Sequence, residues 1–162
     1  MGFLGGAQID KYGNINSSYI GPIEKPKIRL PGSGGANDIA SSANQIFSIT
    51  YHEKRRIVEK VDFVTSPGFL EGRDSREKAG LLGGGVKKVI TNLGILEFDK
   101  ETREMKLVTV HPGITPEQVQ ENTGFELAVA DNLEETKPPT DEELTIVRAL
   151  DPERKFLKGG EF

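Results

Sequence analysis

The sequence predicts a single mixed α/β domain over residues 1–162. Three observations predict it. Short runs rich in β-branched and aromatic residues recur along the 162 residues, two helix starts carry full capping signals, and 19 glycines punctuate the chain with turns. A compact chain of this length buries roughly 70% of its unfolded surface around one core.

Taken in order, Phe3–Ile9 (FLGGAQI) reads as a short buried strand whose glycines admit close backbone neighbours. Asp10–Asn14 is a turn, and Ile15–Ile20 is a second strand. Gly21–Pro31 holds three prolines and predicts an extended connection. A helix follows the glycine turn after it, capped by Asn37 or Asp38. Ile46–Tyr51 and Val58–Thr65 read as strands. His52–Arg56 between them is either a solvated charged connector or a grip on phosphate or carboxylate by Arg55 and Arg56. Ser66–Gly85, dense in charge, glycine and proline, predicts a long loop near the site. Lys88–Thr91, Gly94–Phe98 and Met105–Val110 form a meander. Thr115-Pro116-Glu117-Gln118 combines an N-cap threonine, an N1 proline and an N3 glutamine, and Thr140-Asp141-Glu142-Glu143 repeats the logic. Asp131–Pro139 is a polar linker, and the tail from residue 151 to 162 is expected to be loose.

Composition excludes several classes of function. A formal charge of −4 supplies no basic field for a nucleic-acid backbone, and no stretch interleaves aromatic with basic residues. No window approaches the roughly 18 apolar residues of a membrane span. Met1-Gly2 is followed by Gly6 where a myristoylation signal requires Ser or Thr. A cytoplasmic protein without nucleic-acid or membrane partners is the expectation. With no cysteine and only His52 and His111, thiolate chemistry and an ordinary zinc centre are not expected. His52-Glu53 opens like a metalloprotease helix, but Arg56 occupies the position of the second histidine.

The most informative stretch is Leu30–Ala40, LPGSGGANDIA. Gly32, Gly34 and Gly35 can adopt positive φ and carry no side chain, so successive N–H groups can converge on an anion. A helix from Ala36 would add its own unpaired amides. The alternative is a plain loop-to-helix turn. No Gly-Lys-Ser/Thr closes the segment, and Pro31 interrupts the strand that a dinucleotide fingerprint needs.

The runs GGAQIDKYGNINSSYIG (Gly5–Gly21), PKIRLPGSGGANDIAS (Pro26–Ser41), HEKRRIVEKVDFVTSPG (His52–Gly68) and VHPGITPEQVQENTGFEL (Val110–Leu127) resemble, in order, the β-subunit of family I coenzyme A transferases. The resemblance is strongest to the glutaconate CoA-transferase branch and covers nearly the whole chain. It implies a mixed open sheet with flanking helices, of the NagB/RpiA/CoA-transferase type, and an α-subunit partner of similar architecture, with sites where the two meet. It also implies a glutamate nucleophile that attacks an acyl-CoA thioester, with coenzyme A thioester as substrate and no permanently bound cofactor. By resemblance, Gly34 and Gly35 supply oxyanion-stabilising backbone amides, and Gly32, Ser33, Ala36 and Asn37 border the coenzyme A site. No metal site is implied.

The family's nucleophile precedes the Gly-Gly-Ala-Gln-Ile-Asp block, which here begins four residues after Met1. The expectation is an N-terminally truncated β-subunit-like chain whose glutamate comes from elsewhere, an N-terminal β-subunit fragment being one source. Glu53 and Glu71 do not stand in the nucleophile context. A sheet lacking its first strands should keep an exposed edge on Phe3–Ile9 or a strand beside it. Two alternatives stay open. One is a non-catalytic CoA-binding or assembly module; the other is an acyl-CoA ring-opening hydrolase subunit, whose branch shares a run like Pro139–Leu144.

Overall fold

The computed structural model describes residues 1–155; residues 156–162, and with them most of the expected loose tail, lie outside the described residues. Eleven strands and four helices follow the chain in the order β1 (Gly2–Leu4), β2 (Gln8–Asp10), β3 (Ile15–Asn16), β4 (Tyr19–Ile20), β5 (Ile28–Arg29), α1 (Ala36–Ser42), β6 (Ile46–Ile49), β7 (Ile57–Val58), α2 (Ser75–Lys78), β8 (Val86–Ile90), β9 (Gly94–Phe98), β10 (Met105–Val110), α3 (Pro116–Glu121), β11 (Ala128–Glu135) and α4 (Asp141–Leu150). The main sheet has six strands in the order β1-β6-β8-β9-β10-β11, with β1, β6 and β8 parallel and the β8-β9-β10 meander antiparallel. A three-stranded sheet β3-β2-β7 and a two-stranded ribbon β4-β5 accompany it. This is the mixed α/β architecture that the sequence predicts. Among the described residues no helix is long and apolar enough to cross a membrane.

The core is a cluster in which Ile9, Ile46, Ile57, Val89, Leu96, Leu107 and Val119 are fully buried. The alternation of the meander explains its share. Val89, Leu96 and Leu107 stand opposite one another in register and point inward, while Lys88 and Glu97 pair on the other face at 2.9 Å. Both predicted capping boxes are present: Thr115 accepts from the Gln118 amide at the start of α3, and Thr140 from the Glu143 amide at the start of α4. The expected open edge is there too. β1 terminates the main sheet, and Phe3 is 64% exposed, stacked on Phe47.

Several boundaries differ from expectation. Phe3–Ile9 is two strands in two sheets. The chain breaks at Gly5-Gly6, and a side chain at Gly6 would meet Ile15 and the backbone of Asn16. Ile15–Ile20 is likewise divided, because the Asn16 carboxamide accepts from Ser18 N and donates to Tyr19 O, turning the chain. The proline-rich connection contains β5. Val58–Thr65 is strand only at its first residue, since Asp62 N turns to the Gln8 side chain and its carboxylate accepts from Gly21 N. Ser66–Gly85 contains the one-turn helix α2. The polar linker 131–139 begins inside β11, an edge strand with no buried residue.

Candidate functional site

The glycine turn is held at its entrance and left open at its apex. Leu30 N donates to Ser18 O at 2.9 Å and Gly32 N to Ser17 O at 2.8 Å, while Ser17 Oγ donates to Gly32 O at 2.9 Å. Gly32 and Gly34 have φ of +93° and +49°, which only glycine adopts cheaply. Ala36 N donates to Ser33 O at 2.9 Å and closes the turn. The N–H groups of Ser33, Gly34 and Gly35 donate to no atom among the described residues.

Gly35 is the informative glycine. Its φ is −82°, open to any residue, and a side chain there would meet nothing within 4 Å. Neither backbone conformation nor internal packing requires glycine at this position. Its absent side chain leaves room for something outside the chain to approach the backbone closely.

The predicted site residues divide between anchoring and presenting roles. Gly32 anchors the turn to Ser17. Ser33 Oγ donates to Gly34 O at 3.1 Å, within the turn. Gly34 and Gly35 present free, exposed amides. Ala36 spends its amide on Ser33 O and packs its methyl against the core. Asn37 does not cap α1, and neither does Asp38. The N-cap is Gly35, which has no side chain to make a capping bond; Asn37 lies inside the first turn and donates Nδ2 to Thr65 O at 2.8 Å. α1 spans seven residues, so its dipole adds little and the loop amides carry the electrostatics.

The surroundings of the turn escaped the sequence reading. Thr65 accepts from Ser17 N at 2.9 Å and shares a 2.8 Å bond with Ser18 Oγ. The buried Asn14 carboxamide accepts from Gly68 N and Leu70 N. Asn14 is held in turn by Asp10, whose carboxylate accepts from Tyr12 N, Asn14 N and Asn14 Nδ2, and burial raises its pKa. Arg55 and Arg56 both bind Glu53 Oε2, at 2.6 and 3.2 Å, so the chain's own carboxylate satisfies the predicted grip. Glu53 is thereby fixed as a half-buried ion-pair partner.

α1 leads through residues 43–45 into β6, and the turn before it rests on Ser17 and Ser18. A cavity of about 470 Å³ lined by Gly6, Ile49, Tyr51, Arg56, Ile90 and Asn92 lies at the carboxyl ends of β6 and β8, and no residue of the glycine turn lines it.

Fold and turn together define an open, mixed α/β protein with a glycine turn whose apex amides have no partner among the described residues. The chain belongs to the coenzyme A transferase family, whose model, described as "Coenzyme A transferase", matches residues 1–122. It is 46% identical over 151 residues to the β-subunit of 3-oxoadipate CoA-transferase from Pseudomonas knackmussii, covering 93% of this chain and 58% of that protein. It is also 46% identical over 159 residues to the β-subunit of glutaconate CoA-transferase from Acidaminococcus fermentans, covering 98% of this chain and 59% of that one. The crystal structure of that glutaconate coenzyme A-transferase superposes with a TM-score of 0.88 at 43% identity, over 98% of this chain and 61% of the solved one. The IpdB subunit of a cholesterol ring-cleaving hydrolase from Mycobacterium tuberculosis is 34% identical over 150 residues, covering 92% of this chain and 59% of that one. The chain thus spans somewhat under three fifths of the length of these curated relatives.

Proposed function

We propose that this chain is the part of a β-type coenzyme A transferase subunit that forms the oxyanion wall of the active site. It acts with an α-type partner and with a glutamate supplied from outside residues 1–162. The observation that carries the reading is Gly35, a glycine the fold does not require, beside the free amides of Ser33 and Gly34. The likeness to two CoA-transferase β-subunits over more than nine tenths of the chain supports it.

In this reading a glutamate carboxylate attacks the thioester carbonyl carbon, and the C–S bond breaks to release coenzyme A thiolate and leave an acyl-glutamyl anhydride. The thiolate attacks the glutamyl carbonyl, the acyl group leaves as a free acid, and an enzyme-CoA thioester remains. A second carboxylic acid then runs the sequence in reverse. Each attack converts a carbonyl oxygen into an oxyanion, and one preorganised amide donor is worth about 3–4 kcal/mol to such a transition state. Gly35 N–H is the first-choice donor, Gly34 N–H the second. The substrates are coenzyme A thioesters and carboxylic acids, matching the relatives' names.

The test is borohydride trapping during turnover, followed by mass mapping of the reduced glutamyl-CoA thioester. The reading predicts a modified glutamate on a segment other than residues 1–162, and no acyl-CoA turnover by this chain alone. Modification of Glu53 or Glu71 would overturn it. Hydrolytic opening of a ring in a cyclic acyl-CoA, with the thioester intact and no carboxylate acceptor consumed, would favour the hydrolase reading that the 34% identical relative supports.

A further inference from the structure

Arg76 lies in α2, far in sequence from the glycine turn, yet it is only 4% exposed. Its guanidinium has five N–H donors, and five bonds to main-chain carbonyls account for them. Nε donates to Gly83 O at 2.8 Å; Nη1 to Pro67 O at 3.2 Å and Gly68 O at 2.8 Å; Nη2 to Ala40 O at 2.7 Å and Ser41 O at 3.2 Å. Among the described residues no carboxylate pairs with it.

A buried cation balanced only by carbonyl dipoles is costly unless every donor is placed, and only a planar fork satisfies five acceptors from three directions. Those directions matter. Ala40 and Ser41 are in the last turn of α1. Pro67 and Gly68 belong to the strap Thr65–Gly68, which runs beside it, and Gly83 precedes β8. At the other end of α1, Asn37 Nδ2 donates to Thr65 O in the same strap. The strap is therefore a splint along α1, stitched by Asn37 at the first turn and by Arg76 at the last. Its own position is set by Ile15, whose carbonyl accepts from Thr65 N and Ser66 N, and by Asn14.

We propose that Arg76 is a positioning residue for the glycine turn. By locking α1 to the Thr65–Gly68 splint, it fixes where the free amides of Ser33, Gly34 and Gly35 stand. The catalytic half of this inference rests on the reading of that turn as the oxyanion wall. None of the five acceptors of Arg76 lies in the β8-β9-β10 meander, so its loss loosens the turn and splint while the packed core stays closed.

Hydrogen exchange of the full chain tests the structural half. Arg76→Met raises exchange about tenfold in peptides covering residues 30–42 and 64–70, while peptides from the meander stay within about twofold of wild type. Arg76→Lys, with three donors, falls between, and Asn37→Ala, which removes an exposed stitch, loosens the same peptides even if Arg76→Met fails to fold. Exchange that rises equally in the meander, or that does not rise at residues 30–42 in Arg76→Lys or in a folded Arg76→Met, overturns the proposal. In the reconstituted complex with glutaryl-CoA and acetate, Arg76→Lys lowers kcat about tenfold with KM within about twofold, the split expected of misplaced transition-state donors. A raised KM at unchanged kcat overturns the catalytic half. A wild-type complex that transfers no coenzyme A refutes the proposed function and leaves the exchange measurement to decide the role of Arg76.

Discussion

Acidification should destabilise this protein through one buried histidine. His52 is 3% exposed, with Nδ1 3.1 Å from Thr91 Oγ1 and Nε2 3.0 Å from Thr123 Oγ1. It joins the loop after β6 to the end of β8 and the end of α3. No carboxylate faces the ring among the described residues, so burial alone lowers its pKa, from an ordinary 6.5 to about 4. The sign follows from proton counting. Between pH 6.5 and 4 the unfolded chain binds a proton that the folded chain refuses, so stability is full above about pH 6.5 and falls as the pH drops towards 4. At about 1.4 kcal/mol per pH unit, the loss across the window is about 3 kcal/mol, a large share of a typical domain's stability. Urea unfolding of wild type and His52→Gln from pH 7.5 to 4.5 isolates the effect from that of the carboxylates. The wild-type curve should fall more steeply, by somewhat under 3 kcal/mol over that range. Parallel curves, or an NMR titration of the His52 ring near pH 6.5, would refute the reasoning.

Gly68→Ala should cost about 3 kcal/mol or prevent folding, since the new methyl would run into the backbone of Gly13 and Tyr12; calorimetry checks it. Gly35→Val meets nothing within 4 Å, so its urea midpoint should give a stability within about 1 kcal/mol of wild type. Thr115→Ala removes the side-chain acceptor for Gln118 N and should lower stability by about 1 kcal/mol, read as a shift in melting temperature.

Those contrasts show what the sequence carried and what it did not. α3 and α4 were legible because their caps are local. Thr115 with Gln118, and Thr140 with Glu143, satisfy each other across one turn, and both partners are visible in a four-residue window. The meander was legible because its inward residues alternate. β11 was not, because an edge strand with no buried residue leaves no apolar period, and its acids read as a linker. The cap of α1 was misread because the helix begins at Ala36 after Gly35, which puts Asn37 and Asp38 inside its first turn. The glycine turn announced itself by composition; the amides of Gly34 and Gly35 are free as expected, while that of Gly32 is spent on Ser17 O. Arg76 gave no such signal. Its partners are main-chain carbonyls from three distant segments, which carry no residue identity, and Arg76 itself stands in a stretch whose density of charge, glycine and proline reads as a long loop.

The central claim is that residues 33–35 stabilise an oxyanion during coenzyme A transfer, and one comparison tests it most directly. Initial rates of transfer from glutaryl-CoA to acetate are measured for the complex reconstituted with wild type and with Gly35→Val, at matched assembly shown by light scattering. The account predicts a fall in kcat of at least about a hundredfold for Gly35→Val, the cost of one lost oxyanion donor. Equal turnover by the two complexes would contradict it.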